Sequence, residues 1–249
     1  SGSVMHDDDG LLEDQLVARP LPDHGEVWYV SYGSNMSASR LACYIEGGCP
    51  VGGTRHNPGA RDPRPPRHSI GVRLPGSVYF AGESPQWGGG VAFYDHETPG
   101  PAVGRAYLVT AQQFADIAAQ EMYRVPDPDD PIEEIVLGGL DPELDGRHHV
   151  GPGHYETLVE IGRIGGAPML TFTAPHGIDH VEHNAPSEAY LAMLADGLQR
   201  VIVRVLVLDR WGRPSIVGQP ITVEAEGARV DDAGAGGAAS TSWDRLSST

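Results

Sequence analysis

The stretch Val27-Trp28-Tyr29-Val30-Ser31-Tyr32-Gly33-Ser34-Asn35-Met36 decides how this chain is read. Val27, Tyr29 and Ser31 alternate with Trp28, Val30 and Tyr32, which is the period of a strand entering a core. Gly33, Ser34 and Asn35 are turn formers, and the Ala- and Leu-containing segment from Met36 to Ile45 predicts a short helix. A strand, a tight polar loop and a helix bring backbone N–H groups and the positive end of a helix dipole toward one point. Such a loop can hold a carboxylate or a developing oxyanion, or it can be an ordinary turn in which Ser34 or Asn35 caps the helix.

Moving outward, the segment from Gly47 to Arg67 is rich in Gly, Pro and Arg and predicts an extended loop. Short β-type runs follow at Ser77 to Ala81, Gly90 to Tyr94, Val103 to Val109, His154 to Ile161 and Met169 to Ala174. Short strands broken by Gly or Pro point to an α+β fold built on a small mixed or antiparallel barrel or a strongly curved sheet. Thr110 with Gln113 three residues later forms a capping-box start, and Phe114, Ile117 and Ala118 mark one helical face whose next member is Glu121. Pro186-Ser187 opens another helix, with Tyr190, Met193 and Leu194 on one face and Gly197 as its expected stop. Between them, Val125 to Gly153 reads as an acidic insertion or flap.

Composition narrows the function classes. Lys and Arg number 17 against 34 Asp and Glu, a net charge of −17, so a nucleic-acid backbone or an anionic membrane would be repelled by the average surface. Every basic residue is Arg, which excludes a lysine Schiff base and a phosphate-loop lysine. Cys43 and Cys49 read as free thiols of a reducing compartment, with a local disulfide as the alternative, and no apolar run reaches spanning length, so the expected location is cytoplasmic. The expected organisation is an acidic disordered tail over residues 1–25, one catalytic domain over 26–225 with loop insertions at 47–67 and 125–153, and a disordered tail over 226–249.

A carboxylate at the end of an apolar helical stripe points toward the core, where desolvation raises its pKa into the range of a general base. Glu121 is therefore the candidate catalytic residue. The alternative is an end-of-helix Glu that pairs with Arg124 or snorkels out to solvent. Trp87-Gly88-Gly89 places an aromatic wall beside a glycine floor, which suits a small-molecule pocket or a glycine-rich hairpin. His176, His180 and His183, and a second group at His148, His149 and His154, raise metal binding, but no His-Glu-x-x-His frame is present and hydrogen-bonded histidines are the expectation.

Tyr32-Gly33-Ser34-Asn35-Met36, Trp87-Gly88-Gly89-Gly90, Gly104 to Val109 leading into the helix ending at Glu121, Tyr155, and Pro186 to Tyr190 together resemble the γ-glutamylcyclotransferase family in order and spacing. The resemblance implies a barrel flanked by helices and closure of a γ-glutamyl amino acid or amine to 5-oxoproline, with no metal and no cofactor. It assigns acid/base work to Glu121. It also implies that Tyr32, Gly33, Ser34 and Asn35 hold the glutamyl carboxylate and polarise the carbonyl, with Trp87, Gly88, Gly89, Tyr155 and Tyr190 around the substrate. Met122 stands where many relatives have Gly. An amide hydrolase on the same scaffold, a ligand-binding protein without catalysis, and a His-dependent zinc hydrolase are the alternatives.

Overall fold

The computed structural model describes residues 25–140 and 147–198, and beyond them the backbone of four short strand segments between 202 and 222. The two tails expected from the sequence lie outside the described residues, apart from Gly25.

The described residues open with β1 (Glu26–Ser31), a 3₁₀ turn over Ser34–Met36, and α1 (Ala38–Ile45). Next come β2 (Ser69–Arg73), β3 (Ser77–Ala81), β4 (Val91–Asp95), β5 (Val103–Thr110) and α2 (Ala111–Glu121). The flap region holds α3 (Pro131–Gly138) and β6 (Arg147–His149). The chain continues through β7 (Thr157–Ile164), β8 (Ala167–Thr173) and α4 (Glu188–Leu198). The last segments are β9 (Ile202–Val203), β10 (Leu206–Leu208), β11 (Pro214–Val217) and β12 (Ile221–Thr222).

The main sheet runs β11-β10-β7-β8-β1-β5-β2-β9-β12, with β6 also on β7, and β3 and β4 form a separate hairpin. Most pairings are antiparallel, whereas β1 runs parallel to β8. The sheet curls as a half-barrel flanked by helices, an α+β arrangement. At its centre, β1 is buried on both faces. Val27 and Tyr29 pack with Leu41, Tyr44, Phe114, Ile117 and Phe172 under α1 and α2. Trp28, Val30 and Tyr32 pack with Val72, Tyr94, Leu108, Met169 and Tyr190 on the other side. Fully burying each large apolar side chain contributes about 1.5–3 kcal/mol, so the central strand is fixed by two cores at once.

Several elements differ from the sequence reading. The flap contains α3, whose start is marked by Asp130 accepting from the Ile132 N–H and by Pro131 in the first turn. Strand β2 went unrecognised, and β7 starts at Thr157 rather than His154 and extends to Ile164. Gly197 is no helix stop but lies inside α4, where a Cβ would come within 2.9 Å of Met36 Cβ, so glycine there permits the close approach of α4 to the 3₁₀ turn. In the segment Val201 to Leu208, where the β-branched residues favour strand and the family resemblance suggests helix, the described pieces Ile202–Val203 and Leu206–Leu208 are strand.

The loop over 47–67 is extended as expected, yet it is pinned. Gln113, Asp116 and Gln120 form a buried polar stripe on α2. Gln113 Nε2 donates to the carbonyls of Asp62 (3.0 Å) and Arg64 (2.8 Å), and Gln120 Oε1 accepts from Gly59 N–H at 3.1 Å. Asp116 accepts from Arg61 through its backbone N–H at 2.8 Å and its Nε at 2.9 Å. The same guanidinium reaches Glu133 on α3 at 2.7 Å.

Candidate active site

The end of β1, the 3₁₀ turn, α1, the 82–87 loop and the end of α2 enclose a cavity of about 340 Å³. That is the size of a small-molecule site. Tyr32, Gly33, Ser34, Asn35, Trp87, Tyr155, Tyr190 and Glu121 all line it. The structure therefore gathers most of the residues singled out in the sequence, though they come from five separate parts of the chain.

Gly88 and Gly89 do not line the cavity. They adopt positive φ angles of 69° and 64°, and Gly89 bridges to Pro186. A Cβ on Gly89 would meet the Ala185 carbonyl oxygen at 2.6 Å, so this pair turns the chain and lets it approach the segment before α4. Tyr32 and Tyr155 contribute ring walls, because their hydroxyls donate to the carbonyls of Phe172 (2.8 Å) and Ala92 (2.7 Å).

Glu121 sits at the last position of α2 because the Thr110–Gln113 capping box sets the helix start and Phe114 and Ile117 turn its apolar face inward. It is partly open to the cavity, and its Oε1 accepts from Asn35 Nδ2 at 2.7 Å. Burial pushes its pKa above the ordinary carboxylate value, opposed by the nearby Arg40 charge and by hydrogen bonds from Tyr44 and Asn35. The suggested Arg124 partnership does not occur: Arg124 pairs with Glu156 at 2.8 Å and Asp130 at 3.5 Å. Asn35 is itself buried, and its Nδ2 also donates to the Tyr29 hydroxyl at 3.2 Å.

Tyr190 reaches the turn from α4. Its hydroxyl lies beside Ser34, and burial raises its pKa so that it stays protonated. A side chain at Gly33 would collide with that hydroxyl, its Cβ falling 2.9 Å away. His154 also lines the cavity, and burial lowers its pKa.

Several lining residues carried no signal in the sequence. Arg40 is only 3% exposed, and its Nη2 donates to the Tyr44 hydroxyl at 2.7 Å and to Gln86 Oε1 at 3.2 Å. Its Nε and Nη1, and Gln86 Nε2, are buried and meet no hydrogen-bond acceptor among the described residues. Tyr123 stands at the mouth with φ 62° and Arg55 over its ring at 4.3 Å. It occupies the position after the helix cap of a Schellman ending, since Arg124 N–H donates to Ala119 (2.9 Å) and Tyr123 N–H to Gln120 (3.1 Å).

Among the described residues no group of three or more His, Cys, Asp or Glu side chains is placed to hold a metal ion. His176 Nδ1 pairs with the Tyr79 hydroxyl at 2.9 Å and His183 Nε2 with the Ile178 carbonyl at 2.8 Å. Cys43 and Cys49 are free thiols. No helix among the described residues is long and apolar enough to cross a membrane.

No family model matches the chain. Histone deacetylase 5 of Arabidopsis thaliana is 30% identical over 192 residues, covering 70% of this chain and 28% of that protein. The chain thus spans well under half the length of this relative, whose name describes the whole protein. Among solved structures, a gamma-glutamyl cyclotransferase is similar at 14% identity over 70% of this chain and 79% of its own, with a TM-score of 0.41. An uncharacterized protein from Homo sapiens gives 14% identity, 70% and 79% coverage and a TM-score of 0.39. YkqA from Bacillus subtilis gives 16% identity, 75% and 51% coverage and a TM-score of 0.35.

Proposed function

We propose that the chain is a cyclotransferase that converts a γ-glutamyl amino acid or γ-glutamyl amine to 5-oxoproline and the free amine. The observation that carries this reading is Glu121: a carboxyl with its pKa raised by burial opens on a ligand-sized cavity and is held by Asn35 of the turn that ends the central strand. A base of that kind is what the reaction requires, because its nucleophile arrives as an ammonium.

In this mechanism the substrate folds so that its α-nitrogen faces its own side-chain carbonyl, which makes the attack intramolecular and leaves positioning as the main task of the site. Glu121 takes a proton from the α-ammonium. The freed nitrogen attacks the γ-carbonyl carbon, a C–N bond forms, and negative charge develops on the carbonyl oxygen. Tyr190 and the Gly33 to Asn35 turn supply donors at that oxygen. The bond to the leaving nitrogen then breaks. In total the α-nitrogen gives up two protons and the leaving nitrogen gains two, so a single relay at Glu121 serves both. Asn35 orients the carboxylate, and Trp87, Tyr32 and Tyr155 form the walls that keep the substrate folded.

The test is incubation of the protein with a panel of γ-glutamyl dipeptides and γ-glutamyl amines, followed by mass spectrometry of the acyl product. Release of 5-oxoproline by the wild type and its absence with Glu121→Gln is the expected pattern. Glutamate as the product would replace cyclisation with hydrolysis.

A further inference from the structure

Arg40 makes little sense as a purely structural residue. Its buried guanidinium uses Nη2 for both of its hydrogen bonds, to Tyr44 and Gln86, and leaves Nε and Nη1 without an acceptor beside an open cavity. Gln86, held at its oxygen by that same Nη2, has its own Nε2 idle as well. Three idle buried donors, two of them on a cation, form a site awaiting an anionic acceptor, because buried donors are ordinarily satisfied and a buried cation ordinarily paired. The acidic side chain that shares the cavity with them is Glu121, whose carboxyl feels the Arg40 charge.

We propose that Arg40 and Gln86 form a carboxylate subsite that takes the α-carboxylate of the substrate's glutamyl head. This rests on the reading that Glu121 receives the α-ammonium. An α-amino acid carries its ammonium and carboxylate on the same carbon, so it needs a carboxylate and a guanidinium a short distance apart. Glu121 and Arg40 line the same cavity, close enough for the Arg40 charge to act on the Glu121 carboxyl, and so meet that requirement. The family resemblance gives the carboxylate to the turn over Tyr32 to Asn35. With Arg40 in this role the turn and Tyr190 are left to the reacting carbonyl, and Glu121 and Arg40 read the zwitterionic head, which selects α-amino acids over simple acyl amides.

The experiment is calorimetric titration of wild type, Arg40→Gln and Gln86→Leu with 5-oxoproline and with 2-pyrrolidinone, which is the same ring without the carboxylate. A charged hydrogen bond is worth about 10–150-fold in affinity, so Arg40→Gln is expected to weaken 5-oxoproline by that factor, and Gln86→Leu by about 3–10-fold. Binding of 2-pyrrolidinone is expected to be weak and the same in all three. Gln86 is only half-buried, so its variant keeps the test open should Arg40→Gln fail to fold. The proposal is overturned if wild type binds 5-oxoproline no better than 2-pyrrolidinone, or if neither variant weakens it.

Turnover separates this proposal from the reading beneath it. If no γ-glutamyl compound yields 5-oxoproline while 5-oxoproline still binds through Arg40, the cyclotransferase reading falls and the subsite stands. If Arg40→Gln turns over γ-glutamyl-alanine with unchanged KM, the subsite falls and the reading stands. Equal loss in Arg40→Gln for γ-glutamyl-alanine and for 4-aminobutyryl-alanine, which lacks the α-carboxylate, also overturns the assignment.

Discussion

Asn35→Ala probes the link between the turn and the base. The side chain is 2% exposed, and its Nδ2 gives Glu121 a 2.7 Å hydrogen bond. A short bond to an ionised carboxylate is worth about 1.5–3 kcal/mol, and each 1.36 kcal/mol is tenfold in rate, so kcat/KM is expected to fall by about 10–150-fold. The fold should survive, since the other bond lost, to the Tyr29 hydroxyl at 3.2 Å, is neutral and worth about 1 kcal/mol, and Asn35 Oδ1 has no partner to lose. The pH dependence gives a second readout. Donation from Asn35 favours the charged form of Glu121, so its removal raises a pKa that burial has already raised. Activity needs the deprotonated base, and the acid limb of the kcat/KM profile should therefore move to higher pH. The assay is release of 5-oxoproline from a γ-glutamyl dipeptide between pH 5 and 9. An acid limb that stays put, with kcat/KM within about threefold of wild type, would refute the coupling.

Arg61→Met should destabilise by about 2–4 kcal/mol at pH 8, below the range for a fully buried pair because Arg61 keeps 22% of its side-chain exposure while Asp116 keeps 1%. Burial raises the Asp116 pKa and Arg61 opposes the rise, so without Arg61 the folded-state pKa climbs further. A raised carboxyl pKa gives stability that is present at low pH and lost as pH rises through it, so the deficit should shrink at pH 5; equal urea midpoint shifts at both pH values would contradict this. Tyr123→Gly should leave the melting temperature nearly unchanged, since relief of the left-handed conformation, about 1–2 kcal/mol, is offset by glycine's chain entropy and by the lost Arg55 contact. Its KM should rise because the pocket mouth loses a wall; a clear gain in thermal stability with unaltered KM would count against a functional reason for Tyr123.

The parts of this molecule legible in sequence are those fixed by local chemistry. The alternation of Val27 to Tyr32 and the turn formers after it located the central strand and the loop, and the Thr110–Gln113 box located α2 and hence Glu121. What was missed depends on partners far away in the chain. Gln113, Asp116 and Gln120 look like a solvated face, yet they are buried because the 47–67 loop folds over them. Arg40 and Gln86 become neighbours only when α1 meets the 82–87 loop, and no spacing rule relates residues 46 apart. Helix α3 did carry a local signal, Asp130-Pro131 followed by Glu133 and Glu134, which the surrounding acidic and proline-rich composition masked. Gly197 was misread because a glycine near a helix end serves equally as a stop or as a point of close approach.

The most direct measurement is the mass of the acyl product formed from a γ-glutamyl dipeptide in ¹⁸O-water, with wild type and Glu121→Gln side by side. Intramolecular displacement predicts 5-oxoproline without solvent oxygen, and a rate about 10²–10⁴-fold lower in Glu121→Gln, the usual contribution of a general acid/base. Glutamate carrying one ¹⁸O, or a Glu121→Gln enzyme as fast as wild type, would contradict the account.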